Sequence, residues 1–131
     1  MRARDIVHLT ITGRVPSKKN SRLLFARGKR IMNIPSNAYA AWHKQASEQI
    51  EEFREYQIDE IECMSLDFYA PDRRGTDLTN KAESIMDLLV DNGVIKDDNW
   101  WIVNRLILTF KGVDRTNPRV LIHIHRKTDG T

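Results

Sequence analysis

An α+β fold, one compact domain with a mixed β-sheet and two main α-helices packed on it, is predicted by three features of the sequence. Several short stretches alternate apolar and polar residues with a period of two, and two longer ones repeat apolar residues at intervals of three and four. The two kinds are interspersed along the chain with no internal repeat or low-complexity linker between them. The length agrees: 131 residues, 40% of them hydrophobic, bury one core and are too few for two.

The first period-two segment runs from Asp5 to Val15, with Val7, Leu9 and Ile11 opposing Ile6, His8, Thr10 and Thr12, and stops at Pro16-Ser17. Lys18-Lys19-Asn20-Ser21 is a polar turn, and Arg22 to Ile34 reads as a ribbon folding back around Arg27-Gly28. Pro35-Ser36 offers a helix start, after which Tyr39, Trp42, Ala46 and Ile50 share a face to about Phe53. Ile61 to Ala70 alternates again and delivers Pro71-Asp72-Arg73-Arg74-Gly75 as an exposed turn. A second helix begins near Asp77 with Leu78, Ala82, Ile85 and Leu89 as its buried stripe, and ends at Asn92-Gly93, where glycine permits a left-handed stop. Ile102 to Lys111 and Arg119 to Arg126 are two further strands joined by a turn over Asp114–Pro118.

Composition narrows the function classes. No apolar run approaches the roughly 18 residues of a membrane span, and Met-Arg-Ala-Arg-Asp lacks the apolar stretch of a signal peptide, so a soluble, cytoplasmic protein is expected. A single cysteine, Cys63, forms no internal disulfide and offers no thiolate zinc site; a buried, inert thiol on a strand is expected. The net charge of +3 is segregated. Arg14, Lys18, Lys19, Arg22, Arg27, Lys29 and Arg30 follow one another without an acid, whereas Asp67, Asp72, Asp77, Glu83, Asp87, Asp91, Asp97 and Asp98 dominate the later stretch. A basic flank beside an acidic patch suits a plain anion-binding module poorly, because the carboxylates repel the phosphates the cations attract. A divalent cation resolves that conflict, and two ordinary solvated faces are the alternative.

The chemistry concentrates in Asp72-Arg73-Arg74-Gly75-Thr76-Asp77-Leu78-Thr79-Asn80-Lys81-Ala82-Glu83 and in Lys96-Asp97-Asp98-Asn99. Phosphodiester hydrolysis requires an activated water and charge stabilisation, and carboxylates holding Mg²⁺ provide both. Asp77 and Asp98 converge only if the chain returns along a helix of roughly 21 Å after Gly93. Each acid also has a purely structural role open to it: Asp77 as a helix cap, Glu83 as a surface residue, Asp97-Asp98 as a polar turn. His123 and His125, two apart on one strand, face the same way and with His8 offer a weaker transition-metal set; a solvent-facing pair is favoured. Trp100 and Trp101 point to opposite sides of an extended segment, one expected in the core and the other open to stack on a base or pack a partner subunit.

From Ile6 to Ile124 the sequence resembles the RusA family of Holliday-junction resolvases: a Pro-Ser-Lys-Lys-Asn-Ser turn, a basic hairpin over about 15–34, a helix, a strand ending in Pro-Asp-Arg-Arg, then Asp77-Leu78-Thr79-Asn80 opening a helix and Asp97-Asp98 after it. The resemblance implies a homodimeric, Mg²⁺- or Mn²⁺-dependent endodeoxyribonuclease, commonly of phages and prophages, that resolves four-way DNA junctions by paired nicks in recombination and repair. It places the catalytic region at about 72–99, with Asp77 as the first acid, Asp98 as the last and Asp97 beside it. Two positions depart from the family pattern. Thr79 stands where the motif Asp-Leu-Asp-Asn has its second acid, and Glu83 stands where one branch uses a lysine. Glu83 lies one helical turn after Thr79 and is expected to restore the missing charge. The expected site is therefore Asp77, Glu83 and Asp98 with Asp97 as metal ligands, Asn80 orienting a ligand or water, and Lys81 on the phosphate. Asp72 is a further possible ligand. Lys18, Lys19, Arg22, Arg27, Lys29, Arg30, Arg73 and Arg74 are the expected contacts to the DNA backbone. Two alternatives remain open: a junction-binding protein of the same fold with weakened catalysis, and a phage factor that binds an acidic protein.

Overall fold

In the computed structural model, residues 5–17, 22–27, 30–35 and 37–127 are described. They form strands β1 (Ile6–Thr12), β2 (Arg22–Arg27) and β3 (Arg30–Pro35), helix α1 (Asn37–Gln49), strand β4 (Ile61–Ala70), helix α2 (Leu78–Asp91), and strands β5 (Leu106–Val113) and β6 (Arg119–Arg126). Four of the strands make a mixed sheet in the order β1-β6-β4-β5, antiparallel except for the parallel pair β4-β5, while β2 and β3 form a separate antiparallel ribbon. This is the expected α+β domain.

The period-two pattern decides which face of the sheet carries the helices. Val7, Leu9 and Ile11 of β1, Met64, Leu66 and Phe68 of β4, and Val120, Ile122 and Ile124 of β6 are buried on one face. Trp42 and Ala46 of α1 and Ala82, Ile85, Met86, Leu88 and Leu89 of α2 close over them, α1 lying against β1 and α2 against β5. Each of these larger side chains contributes about 1.5–3 kcal/mol by leaving water. The parallel pair β4-β5 is joined through α2, so α2 runs antiparallel to both strands and its first turn stands at their carboxyl ends.

Four segments differ from the sequence expectation. β1 stops at Thr12, because Gly13 takes φ +99° and its N–H donates to the Pro118 carbonyl at 2.8 Å, which turns the chain off the sheet edge. Pro35 ends β3 instead of opening α1, which is one turn shorter than expected and gives way to a 3₁₀ turn over Glu51–Phe53. β5 begins at Leu106, four residues late. The amides of Ile102 and Val103 both donate to the Asn99 carbonyl, and Asn104 Nδ2 donates to the Trp100 carbonyl at 2.7 Å, so the segment expected to be strand is wound into a turn. That turn also removes both tryptophans from the core: Trp100 and Trp101 are 78% and 80% exposed. Cys63 is half-buried on the helix-free face of β4.

Two polar side chains of α2 fix the chain as it leaves β1. Ser84 is fully buried and its Oγ donates to the Pro16 carbonyl at 2.6 Å, while Lys81 Nζ donates to the Val15 carbonyl one turn earlier. Ser84→Ala leaves the Pro16 carbonyl without its donor, and the expected loss is about 1–3 kcal/mol of unfolding free energy. Urea denaturation checks it: the midpoint should fall with the slope unchanged. A midpoint equal to wild type would show that the tie contributes nothing.

Candidate active site

The exposed side of α2 carries a row of polar residues. Asp77, Asn80, Glu83 and Asp87 follow one another at intervals of three, three and four, which places them on one helical face, with Asp77, Glu83 exposed and Asn80 and Asp87 half-exposed. Asp77 occupies the N-cap position with extended backbone (φ −73°, ψ 123°) but makes no capping hydrogen bond. Its Oδ2 accepts instead from Asn80 Nδ2 at 3.2 Å. Asn80 thus engages an acid that caps none of the free amides of the first turn.

The chain folds back against the last turn of α2. After Gly93, at φ +67°, the amides of Val94 and Ile95 bond back to the Leu89 carbonyl, both side chains are buried, and Lys96 N–H reaches the Ile58 carbonyl. Asp97 and Asp98 follow and play unequal parts. Asp97 is a turn residue: its Oδ1 accepts from the Asp98 amide at 2.8 Å and its Oδ2 from Asn99 Nδ2 at 3.0 Å, which hold its carboxyl below the ordinary carboxylate value. Asp98 is pushed upward, first by partial removal of its carboxyl from water, then by Asp97, and also by the charge of Asp87. The acidic charges that bear on Asp98 are therefore those of Asp97 and Asp87. Asp87 was not among the expected site residues, although its spacing of one turn from Glu83 could have drawn attention to it. Asp77 stands ten residues before Asp87, about 15 Å along the helix axis. No hydrogen bond joins Asp77 or Glu83 to Asp98, and among the described residues no three His, Cys, Asp or Glu side chains form a ready-made metal cage. Thr79 is exposed on the same side of the helix as Glu83.

Asp72 is committed elsewhere. Its carboxylate accepts from the Arg74 amide at 3.0 Å, from the Arg74 guanidinium at 3.1 Å and 3.2 Å, and from Arg14 at 2.5 Å. The Arg74 amide, then the Arg74 and Arg14 side chains, hold it well below the usual carboxylate range. A carboxyl lowered on folding contributes stability that is complete above the unfolded value of about 3.9 and is lost as pH falls through the lower folded value. Asp72→Asn should therefore flatten the fall in melting temperature below about pH 4. Melting curves for wild type and variant that descend in parallel through that range would contradict it.

Around this clamp lies an open groove of about 1180 Å³ at the carboxyl ends of β4 and β5, next to the first turn of α2. Arg14, Arg73, Arg74, Lys81, Arg115 and Arg119 line it, against the single carboxylate of Asp72. Lys81 is pulled down in pKa, first by removal from water and then by the Arg14 and Arg74 charges, and one of its three donors is taken by Val15. Arg119 is held by Asp114 at 2.9 Å and lies over the Tyr69 ring at 3.8 Å. Of the expected DNA contacts, Arg73 and Arg74 are in this groove. Lys18, Lys19 and Lys29 lie outside the described residues, and Arg22, Arg27 and Arg30 are described only as positions on the β2-β3 ribbon.

His8, His123 and His125 occupy the helix-free face of the sheet. His8 and His123 are register partners across β1 and β6, their Nδ1 atoms 2.7 Å apart, and His123 Nε2 is 3.4 Å from Asp67. Both ring nitrogens of His123 are thus turned to neighbours. His43 bonds Asp91 at 2.9 Å and so ties α1 to the last turn of α2. Comparison with known families and characterised proteins returns no match to this chain.

Proposed function

We propose that the chain is a Mg²⁺- or Mn²⁺-dependent endodeoxyribonuclease that cuts branched DNA as a homodimer. The observation that supports this most is the layout of α2: one face carries Asp77, Asn80, Glu83 and Asp87, and its first turn borders the groove lined by six cationic side chains. Acids in a row beside a phosphate-attracting groove give hydrolysis and binding to adjacent surfaces of one helix.

The residues fit a hard divalent cation. The donors in the row are carboxylate and amide oxygens, without thiolate or imidazole, and Asp98 brings a further carboxylate into the neighbourhood of Asp87. Mg²⁺ is commonly held by only one or two carboxylates, keeping its remaining positions for water and substrate phosphate, so a three-ligand cage is not required. Asp98 and Asp87, with Glu83 one turn away, are the residues that would hold it, whereas Asp77, about 15 Å along the helix from Asp87, is beyond reach of the same ion. When bound, the cation supplies an activated water and charge stabilisation at the phosphorus. Asn80 keeps the Asp77 carboxylate oriented, Asp97 shapes the turn that presents Asp98, and Lys81 adds positive charge where Val15 and Pro16 leave β1. Two nicks require two sites, which a twofold dimer provides.

Cleavage of a synthetic four-way junction by wild type in Mg²⁺, with EDTA as the control, tests this. Paired nicks that vanish in EDTA are expected. Tight junction binding without cleavage of any branched or linear DNA would replace the proposal with the binding-only alternative, and no DNA binding at low salt would point to a protein partner instead.

A further inference from the structure

We infer that the groove at the carboxyl ends of β4 and β5 is a subsite for an unpaired nucleotide of a DNA strand, with Phe110 as the stacking platform for its base and Arg73 and Arg115 as phosphate contacts. The inference rests on the DNA-acting function proposed above and specifies what that function recognises besides duplex backbone.

Three observations lead there. First, the charge of the groove is incompletely used. Asp72 engages Arg14 and Arg74, and Asp114 engages Arg119, whereas Arg73 and Arg115 are exposed and make no hydrogen bond or ion pair among the described residues. Two open guanidinium groups lining one groove match phosphate oxygens in geometry and charge. Second, the groove is aromatic as well as basic. Phe110 lines it and is 58% exposed, although its register partner Phe68 is buried in the core. A cationic groove with an accessible ring is the combination that holds single-stranded nucleic acid, because every base has a face to stack. Third, the space is larger than the roughly 300–1,000 Å³ of small-molecule sites and is open, which suits a length of strand.

The backbone keeps the ring accessible. Between Phe68 and Tyr69 the β4-β5 register shifts, so that Phe110 pairs with Phe68 and Gly112 with Tyr69, leaving Lys111 as the extra residue. Gly112 takes φ +127°, and nothing lies within 4 Å of the place a Cβ would occupy. The bulge bends the end of β5 without filling the groove beside the ring. A base in an intact duplex is stacked on both sides and cannot reach Phe110, whereas a base at a branch point or in a single strand can. The subsite therefore favours DNA with an unpaired base next to the acidic face of α2.

The test is binding of a fluorescent oligothymidylate to the full chain by anisotropy, in EDTA, so that it is independent of cleavage. Wild type should bind at low salt, Phe110→Ala should bind roughly 5- to 150-fold more weakly, and Phe110→Trp should recover the affinity. Phe110→Leu, which keeps an apolar side chain but no ring, should behave like Phe110→Ala. Arg73→Gln and Arg115→Gln should each make the salt dependence shallower by about 0.7 logarithmic units. Wild-type affinity in Phe110→Ala, or equal affinity in Phe110→Leu and wild type, overturns the stacking role. A change of oligomeric state in Phe110→Ala with unaltered oligothymidylate binding also overturns it and assigns the ring to a contact between copies. Loss of oligothymidylate binding by wild type while junction cleavage persists would end this inference and leave the nuclease standing; binding without cleavage would do the reverse.

Discussion

Asp98→Asn should lower Mg²⁺-dependent cleavage of a four-way junction roughly 10²- to 10³-fold while leaving junction binding in EDTA nearly unchanged, the loss expected when one group that stabilises transition-state charge is removed. The selectivity follows from position. Asp98 stands on the turn shaped by Asp97 and faces the charge of Asp87, away from the cations of the groove. Asp87→Asn should lose activity on the same scale, because Asp87 is the acid of α2 whose charge bears on Asp98. Asp97→Asn should lose less, since an asparagine side chain retains an oxygen to accept the Asp98 amide. Single-turnover cleavage of the set decides among these. Full activity in Asp98→Asn removes the proposed site altogether. Full activity in Asp87→Asn together with a large loss in Glu83→Gln returns the second acid to the residue expected from sequence.

Leu89→Ala should cost about 2–5 kcal/mol, a large part of the roughly 5–15 kcal/mol that holds a domain together. Leu89 is fully buried under the sheet, and its carbonyl accepts the amides of both Val94 and Ile95, which begin the return toward Asp98. A cavity there loosens the core and the turn together. Guanidinium denaturation measures the first effect, and cleavage at a temperature where the variant is still folded measures the second. A loss under 1 kcal/mol would mean that the site collapses around the missing methyl groups, contrary to the close packing of Leu88, Leu89 and Ile85.

Much of the site was legible as residue types and little of it as distances. Asp77, Asn80 and Glu83 could be assigned to one helix because a helical face repeats every three to four residues, and Leu78, Ala82, Ile85 and Leu89 marked the opposite face. The partner of Asp98 could not be read in the same way. It depends on how far the segment after Gly93 retraces the helix, which is set by hydrogen bonds to Leu89 and Ile58 and by burial of Val94 and Ile95. Asp87 consequently enters the site only in three dimensions. Asp72 leaves it in part for the same reason: besides its bonds to neighbouring Arg74, its carboxylate has its shortest contact with Arg14, fifty-eight residues away.

The tryptophans show where a local rule fails. Adjacent residues face opposite ways only in extended backbone, and the turn closed on Asn99 makes that premise false, so both rings are exposed. The sequence by itself determined the α+β class, the strands Ile61–Ala70 and Arg119–Arg126, the helix Leu78–Asp91 to within a residue or two at its ends, and the core faces, because these follow from periodicity within single segments. Tertiary structure alone decided the sheet order, the groove between the ends of β1, β4 and β5, and which acids become neighbours. Those are contacts between segments far apart in the chain, fixed by burial and backbone pairing that no local spacing encodes.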